Sequence, residues 1–253
     1  MSEKSVALIT GGSRGIGAET ALALADAGYD IVLTYRNKAT RAEEVASAII
    51  QRGQKALPLA CDITQAEAVA AMREQVCQWT DHLDALVLNA SGGLERDLVA
   101  AHADYPMLIN RDAQLSLVEE VLPLLIPGSV IVFVTSHWAH LYGQIQQIPA
   151  YEPVARSKYA GELALRALQP KLTSRGVRLI VVTGDLIEGT ITPKLLERTA
   201  PGLISRRRTT HGALPTAREM GQTIAQAALD PSLASGTTIV IGASLQSLLS
   251  SSE

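Results

Sequence analysis

The run Thr10-Gly11-Gly12-Ser13-Arg14-Gly15-Ile16-Gly17 constrains this chain more than any other stretch, because it joins a strand-like apolar segment, Val6 to Thr10, to a helix-like one. Glycine at these positions suits a strand-turn-helix. Gly11 permits the tight turn, Gly15 lets phosphates approach the backbone, and Gly17 lets the helix pack closely on the strand. The free N–H groups at the helix start, with the helix dipole behind them, favour a pyrophosphate. The flanking patterns separate this run from a surface glycine loop.

Strand-like and helix-like segments alternate along the rest of the chain. Strands are predicted near Val6 to Thr10, Ile31 to Tyr35, Ala56 to Ala60, Ala85 to Asn89, Val130 to Thr135, Val177 to Val182 and Thr238 to Ile241. Helices are predicted over Ile16 to Ala27, Arg41 to Arg52, Gln65 to Trp79, Ala113 to Leu125, Val154 to Ser174 and Ala217 to Asp230. The alternation implies an α/β fold, one doubly wound Rossmann-type domain over residues 1–253, with a mostly parallel sheet of about seven strands and helices on both faces. Ligands of such sheets bind beyond the C-terminal strand ends. The stretch from about Glu188 to Pro215, with Pro193, Pro201 and Gly202, reads as irregular and able to close as a lid.

The length supports one sizeable core, and 47% hydrophobic against 19% charged residues leaves little room for disorder except at a frayed Ser250 to Glu253. A net charge of -3 offers no field for nucleic acid. No apolar run is long enough for a membrane span or a secretory leader, so a cytoplasmic protein is expected. Cys61 and Cys77 read as reduced packing thiols, and no His/Cys/Asp/Glu set has metal-ligand spacing.

The pattern Thr-Gly-x-x-x-Gly-x-Gly resembles that of the short-chain dehydrogenase/reductase family. The resemblance implies a nicotinamide dinucleotide gripped by Gly11, Ser13, Arg14, Gly15, Ile16 and Gly17. The second strand ends Leu33-Thr34-Tyr35-Arg36, without the carboxylate that NAD-selective folds place there. Arg36 and Arg14 can instead hold the 2'-phosphate of NADP(H), or stand as solvated charges. Asp62, followed by Ile63, resembles the family's adenine-contacting acid, although Asp-x-x-Gln is also a capping pattern. Asn89-Ala90-Ser91-Gly92 resembles the Asn-Ala-Gly cofactor wall, with Ser91 a departure. Thr183 to Thr190 resembles the Pro-Gly-x-x-x-Thr stretch, Thr183 replacing proline, which implies nicotinamide contacts from Gly184, Ile187 and Thr190 or Thr192.

Carbonyl reduction needs a proton donor, a group lowering its pKa and an oxygen holder. The family uses a Tyr, a Lys four residues later and a Ser after the fifth strand. Ser136 and Lys158 match, but Val154 occupies the tyrosine position. Tyr151 lies seven residues before Lys158, about two helical turns, so both can face one way. That Tyr-x6-Lys spacing, after Ile148-Pro149, is similar to the enoyl-acyl-carrier-protein reductases. Pro153 marks a first helical turn, which leaves open that Tyr151 precedes the helix, and Tyr142 is a second possible donor. Asn110 resembles the family's helix-bending asparagine, or caps a helix. His137, Trp138 and His140 read as a packing loop, and Arg206-Arg207-Arg208 as a solvated charge run.

The resemblance therefore implies an NADP(H)-dependent oxidoreductase acting on a small molecule or acyl thioester, leaning to C=C reduction of an enoyl thioester. Its rivals are a ketone or 3-oxoacyl reductase and a protein that binds NADP(H) without turnover. A homo-oligomer is expected from the same resemblance, with neither nucleic acid nor membrane as partner.

Overall fold

The computed structural model describes residues 4–250. Its seven strands are β1 (Val6–Ile9), β2 (Asp30–Tyr35), β3 (Ala56–Ala60), β4 (Leu83–Leu88), β5 (Leu125–Ser136), β6 (Arg178–Gly184) and β7 (Thr238–Ile241). All pair in parallel, in the order β3-β2-β1-β4-β5-β6-β7. The chain runs outward from β1 to β3, then returns to β4 on the other side of β1. The β1/β4 boundary is therefore the topological switch point, where ligands of such sheets bind. Pro58 sits in β3, an edge strand, where a missing N–H breaks no inner ladder.

Helices α1 (Gly15–Asp26), α2 (Ala39–Ile50) and α3 (Ala66–Trp79) follow the first three strands. After β4 come α4 (Arg96–Ala101), α5 (Tyr105–Met107), a π-helical turn (Leu108–Asp112) and α6 (Ala113–Val121). Then α7 (His137–His140), α8 (Glu152–Ala167) and α9 (Gln169–Ser174) lie between β5 and β6, and α10 (Ile191–Thr199), α11 (Leu203–His211) and α12 (Ala217–Leu229) between β6 and β7. A last helix, α13 (Leu245–Ser250), follows β7.

Alternation of strand side chains divides the core into two layers. Leu8, Leu86, Ile131 and Leu179 meet Met72, Leu117 and Leu165 on one face. Ala7, Ile9, Val87, Val132 and Ile180 meet Leu24, Ile49 and Ile224 on the other. Strands buried on both faces read as continuous apolar runs, which is why the sequence shows them clearly.

Several sequence expectations need correction. The Glu188 to Pro215 stretch is not irregular, since it carries α10 and α11. The helix expected to reach Leu125 stops at Val121, and Pro123 lies in a tighter 3-10 turn, Leu122–Leu124. The long helix over Val154 to Ser174 starts at Glu152 and is divided at Leu168, just before Pro170. Ser250 closes α13, while Ser251 to Glu253 of the expected frayed end lie outside the described residues. Cys61 is buried, but Cys77 is exposed and does no packing. Among the described residues no helix is long and apolar enough to cross a membrane, and no group of three His, Cys, Asp or Glu side chains could hold a metal ion.

Candidate active site

The turn after β1 is held from three sides. Gly12 N–H donates to Thr34 O at 2.9 Å, and Gly11 N–H to Thr34 Oγ1 at 3.3 Å, so β2 fixes its near edge. Asn89, just past β4, donates through Nδ2 to Thr10 O at 2.9 Å and Gly11 O at 3.2 Å. Thr10 Oγ1 accepts from the N–H groups of Asn89 and Ala90, each at 3.0 Å. The Asn89 side chain thus shapes the loop rather than pointing at open space. Gly11 has φ +66° and Gly15 φ +54°, conformations disfavoured for side-chain-bearing residues. A Cβ on Gly17 would stand 2.4 Å from Gly11 O and 2.6 Å from Asn89 Nδ2, so α1 packs where only glycine fits. A Cβ on Gly15 would meet nothing closer than Thr190 Cγ2 at 3.8 Å, which leaves that backbone open to the cleft.

The cleft beyond these strand ends holds about 690 Å³ and is lined by every sequence-predicted site residue except Gly17, Asn110 and Gly184. Arg14, the N-cap of α1, and Arg36, Lys38 and Arg41, just past β2, all line it. Lys38 and Arg41 escaped the sequence reading, although their place just after β2, at the cap and in the first turn of α2, was the available signal. Arg36 is not a free solvated charge: Nη1 donates to Tyr105 Oη at 2.7 Å, and Nη2 lies 3.9 Å from Glu95 Oε1. Asp62 is no helix cap. Its Oδ1 accepts from Thr64 N–H and Oγ1 at 3.0 and 2.7 Å, and Gln65 occupies the cap position of α3. Across the cleft, Thr190 Oγ1 donates to Ile187 O at 2.7 Å, fixing the turn after β6.

Ser136 ends β5 and caps α7, its Oγ accepting from Ala139 N–H at 3.3 Å. Tyr151 is the N-cap of α8, so it does precede the helix. Ala155 N–H nevertheless donates to Tyr151 O at 2.9 Å, which continues the helical register, and Tyr151 and Lys158 both line the cleft two turns apart. Tyr151 Oη donates to Ser136 Oγ at 3.1 Å. Burial pushes the Tyr151 phenol up, and the Ser136 contact partly opposes that. Burial alone pulls Lys158 down to about 8, and among the described residues its ammonium has no hydrogen-bond or ion-pair partner. A buried, unpartnered cation in the cleft that holds this hydroxyl pair is unfavourable by itself and suits a polar or anionic ligand.

Tyr142 stands apart from this group. Its hydroxyl donates to Glu152, its ring tilts against Tyr159 at 5.8 Å, and it does not line the cleft. Asn110 lies within the π-helical turn rather than at a cap. Its Nδ2 donates to Gly92 O at 2.9 Å and Ser157 Oγ at 3.0 Å, and Ser91 Oγ donates to its Oδ1 at 2.9 Å. A Cβ on Gly161 of α8 would come within 2.1 Å of the Asn110 carbonyl oxygen, so the π turn brings that carbonyl directly against the Lys158 helix.

His137 and His140 turn away from the cleft, toward Thr183 Oγ1 (3.1 Å) and Glu162 (2.9 Å), while Trp138 lines it. Burial drives His137 down to about 4. Of the arginine run, Arg206 and Arg208 are solvent-exposed as expected, and Arg207 is not. Arg207 makes a buried bidentate pair with Asp185, Nε to Oδ1 at 2.8 Å and Nη2 to Oδ2 at 2.9 Å, and Arg208 pairs with Glu188.

An open parallel sheet with a glycine loop at its switch point is the architecture of dinucleotide-binding α/β proteins. Residues 5–199 match the family model for short chain dehydrogenases, so the chain belongs to the short-chain dehydrogenase/reductase family of oxidoreductases. It is 28% identical over 188 residues to a 1-cyclohexenylcarbonyl-CoA reductase of Streptomyces collinus, covering 73% of this chain and 65% of that protein, just under two thirds of its length. A short chain dehydrogenase from Burkholderia cenocepacia, solved in complex with NADP, superimposes with a TM-score of 0.81 at 26% identity, covering 96% of this chain and 98% of that one. A 3-oxoacyl-[acyl-carrier protein] reductase from Brucella melitensis, in complex with NAD, gives 0.79 at 23%, covering 95% and 96%, and speaks for the fold alone.

Proposed function

We propose that this chain is an NADP(H)-dependent reductase of an α,β-unsaturated thioester, with Tyr151, Lys158 and Ser136 at its reacting centre. The residues present fit the cofactor. Gly15 presents open backbone in the turn before α1, suited to phosphates, and Arg14, Arg36, Lys38 and Arg41 gather where a 2'-phosphate would lie. Asp62 and Ile63 would flank the adenine, and Asn89 and Ala90 the middle of the molecule. Gly184, Ile187 and Thr190 would shape the nicotinamide end. When bound there, the reduced nicotinamide supplies a hydride to the acceptor carbon.

Lys158 would hold the ribose and, once paired, keep its positive charge near Tyr151, lowering the cost of developing anionic character on the acceptor oxygen. Tyr151 Oη and Ser136 Oγ would both donate to that oxygen. With an enoyl thioester the negative charge gathers on the thioester oxygen as the β-carbon is reduced, and the α-carbon then takes a proton. The observation carrying this reading is the pairing of Tyr151 with Lys158 two helical turns apart in one cleft, with Val154 buried at the intervening position and unable to donate. The Streptomyces relative supports it, because the compound in its name is a conjugated CoA thioester.

A second reading, reduction of a ketone or 3-oxoacyl group, draws on the 3.1 Å contact between Tyr151 and Ser136, which would let both hydroxyls address one carbonyl oxygen. NADPH oxidation with crotonyl-CoA and acetoacetyl-CoA separates the two. Faster turnover of crotonyl-CoA supports the enoyl reading, acetoacetyl-CoA alone supports the second, and NADPH binding without turnover across wider panels would indicate a binding protein.

A further inference from the structure

Beside the main cleft lies a second one of about 500 Å³, between residues 146–149 and α11. Among the described residues Trp138 is the one that lines both. The residue is 6% exposed, and its indole is held on several sides. It meets the Tyr151 ring edge-on, with centroids 6.4 Å apart and planes at 76°. The Arg207 guanidinium lies 4.8 Å from its centroid, within the range for cation–π attraction. Asp185 fixes that guanidinium in turn through its bidentate pair, and Gln147 Nε2 donates to the Trp138 carbonyl at 3.1 Å. A rotamer change at Trp138 would therefore have to break the Arg207 stacking and the packing on Tyr151 together.

We infer that Trp138, clamped by the Arg207–Asp185 pair, is the specificity-determining wall that confines the acceptor to the main cleft and keeps longer acyl chains out of the second. This rests on the thioester-reductase reading. The second cleft has the lining to accept such a chain if the wall were removed: Ile148, Pro149 and Leu203 are apolar, with Arg206 and His211 at the same surface and no carboxylate in the lining. Shortening the indole joins the two spaces and leaves Ser136, Tyr151 and Lys158 in the chain, at the loss of the edge-on packing on the Tyr151 ring. Pockets discriminate acyl length by roughly tenfold or more per methylene-sized change, so a joined space should be legible in affinity.

The test is calorimetric binding of butyryl-CoA and decanoyl-CoA to the NADP⁺-loaded protein, which needs no turnover. Trp138→Ala should shift the affinity ratio toward decanoyl-CoA by about tenfold, with NADP⁺ affinity unchanged. Trp138→Phe, a smaller loss of volume, should shift it less in the same direction and covers the case in which the alanine variant does not fold. Arg207→Met, which frees the indole, should also shift it. Trp79 is the other of two tryptophans, so in a Trp79→Phe background the emission of Trp138 should change on Arg207→Met. An unchanged ratio in folded Trp138 variants overturns the wall. Absence of turnover with enoyl thioesters, alongside a shifted ratio, would overturn the reaction and leave the wall standing.

Discussion

The turn after β1 and the segment after β6 close over the same cleft, yet they are held in different ways. The first is fixed by neutral hydrogen bonds from Thr10, Thr34 and Asn89, all at the ends of central strands, and by a helix approach that only Gly17 permits. The second is fixed by charge: Arg207 on Asp185, Arg208 on Glu188, and Glu197 accepting from Gly202 N–H at 2.6 Å and Ile204 N–H at 3.0 Å. Those two backbone bonds hold the Glu197 carboxyl below its usual range. No residue of α11 is buried. The floor of the cleft is thus part of the core, whereas the α11 part of its roof is a surface structure tied down at a few points, the buried Arg207–Asp185 pair chief among them.

Substitutions that overfill the floor should have the largest effect. Gly17→Ala puts a methyl into the Gly11 carbonyl, and the backbone has no slack to yield. We expect a loss of about 3 kcal/mol, the upper end for overpacking, and failure to bind NADPH. A thermal melt and a fluorescence titration check both; a variant that binds normally would show the floor to be softer than described.

Lys158 sharpens the comparison through pH. Its folded pKa of about 8 lies below the ordinary 10.5, so the unliganded fold carries an unfavourable buried ammonium below about pH 8. Between about 8 and 10.5 the unfolded chain keeps its proton while the folded one has lost it, so stability should rise with pH across that window. Lys158→Met should stabilise the unliganded protein at neutral pH by about 1–3 kcal/mol while abolishing turnover, and the difference in melting temperature should close as pH approaches 10.5. A difference independent of pH would refute the buried-charge assignment.

At the β2 end the effect should be smaller, because the Arg36 side chain is 33% exposed and shares its charge with Tyr105 and Glu95. Arg36→Ala should cost about 1 kcal/mol in NADPH affinity and nothing for NADH, since Lys38 and Arg41 remain. Equal losses for the two cofactors would count against a 2'-phosphate role. The smallest effect belongs to the roof: Gly202→Ala, at φ +79°, should loosen α11 by about 1 kcal/mol, seen as faster proteolysis there with NADPH affinity intact.

The same contrast explains what could be read before the structure. Strands such as Val130 to Val134 announce themselves because burial on both faces demands an unbroken apolar run. The glycine loop was legible because its constraints are local in sequence. Helix α11 was not, since none of its residues is buried and its Arg207 and Arg208 are held by Asp185 and Glu188, partners no periodicity reveals. The π turn at Asn110 and the service of Asn89 to the loop depend on contacts across strands, so sequence offered only the residue types. Pro153 left open that Tyr151 precedes the helix, and only the fold shows that it does and that its hydroxyl meets Ser136.

The central claim is that Tyr151, in one cleft with Lys158 and touching Ser136, addresses the acceptor oxygen. Tyr151→Phe removes one hydroxyl and little else, so its NADPH dissociation constant and its kcat with crotonyl-CoA form the most direct test. The account predicts wild-type NADPH affinity with kcat reduced by about 10² to 10⁴-fold. Undiminished turnover by Tyr151→Phe, in a protein that still binds NADPH, would contradict it.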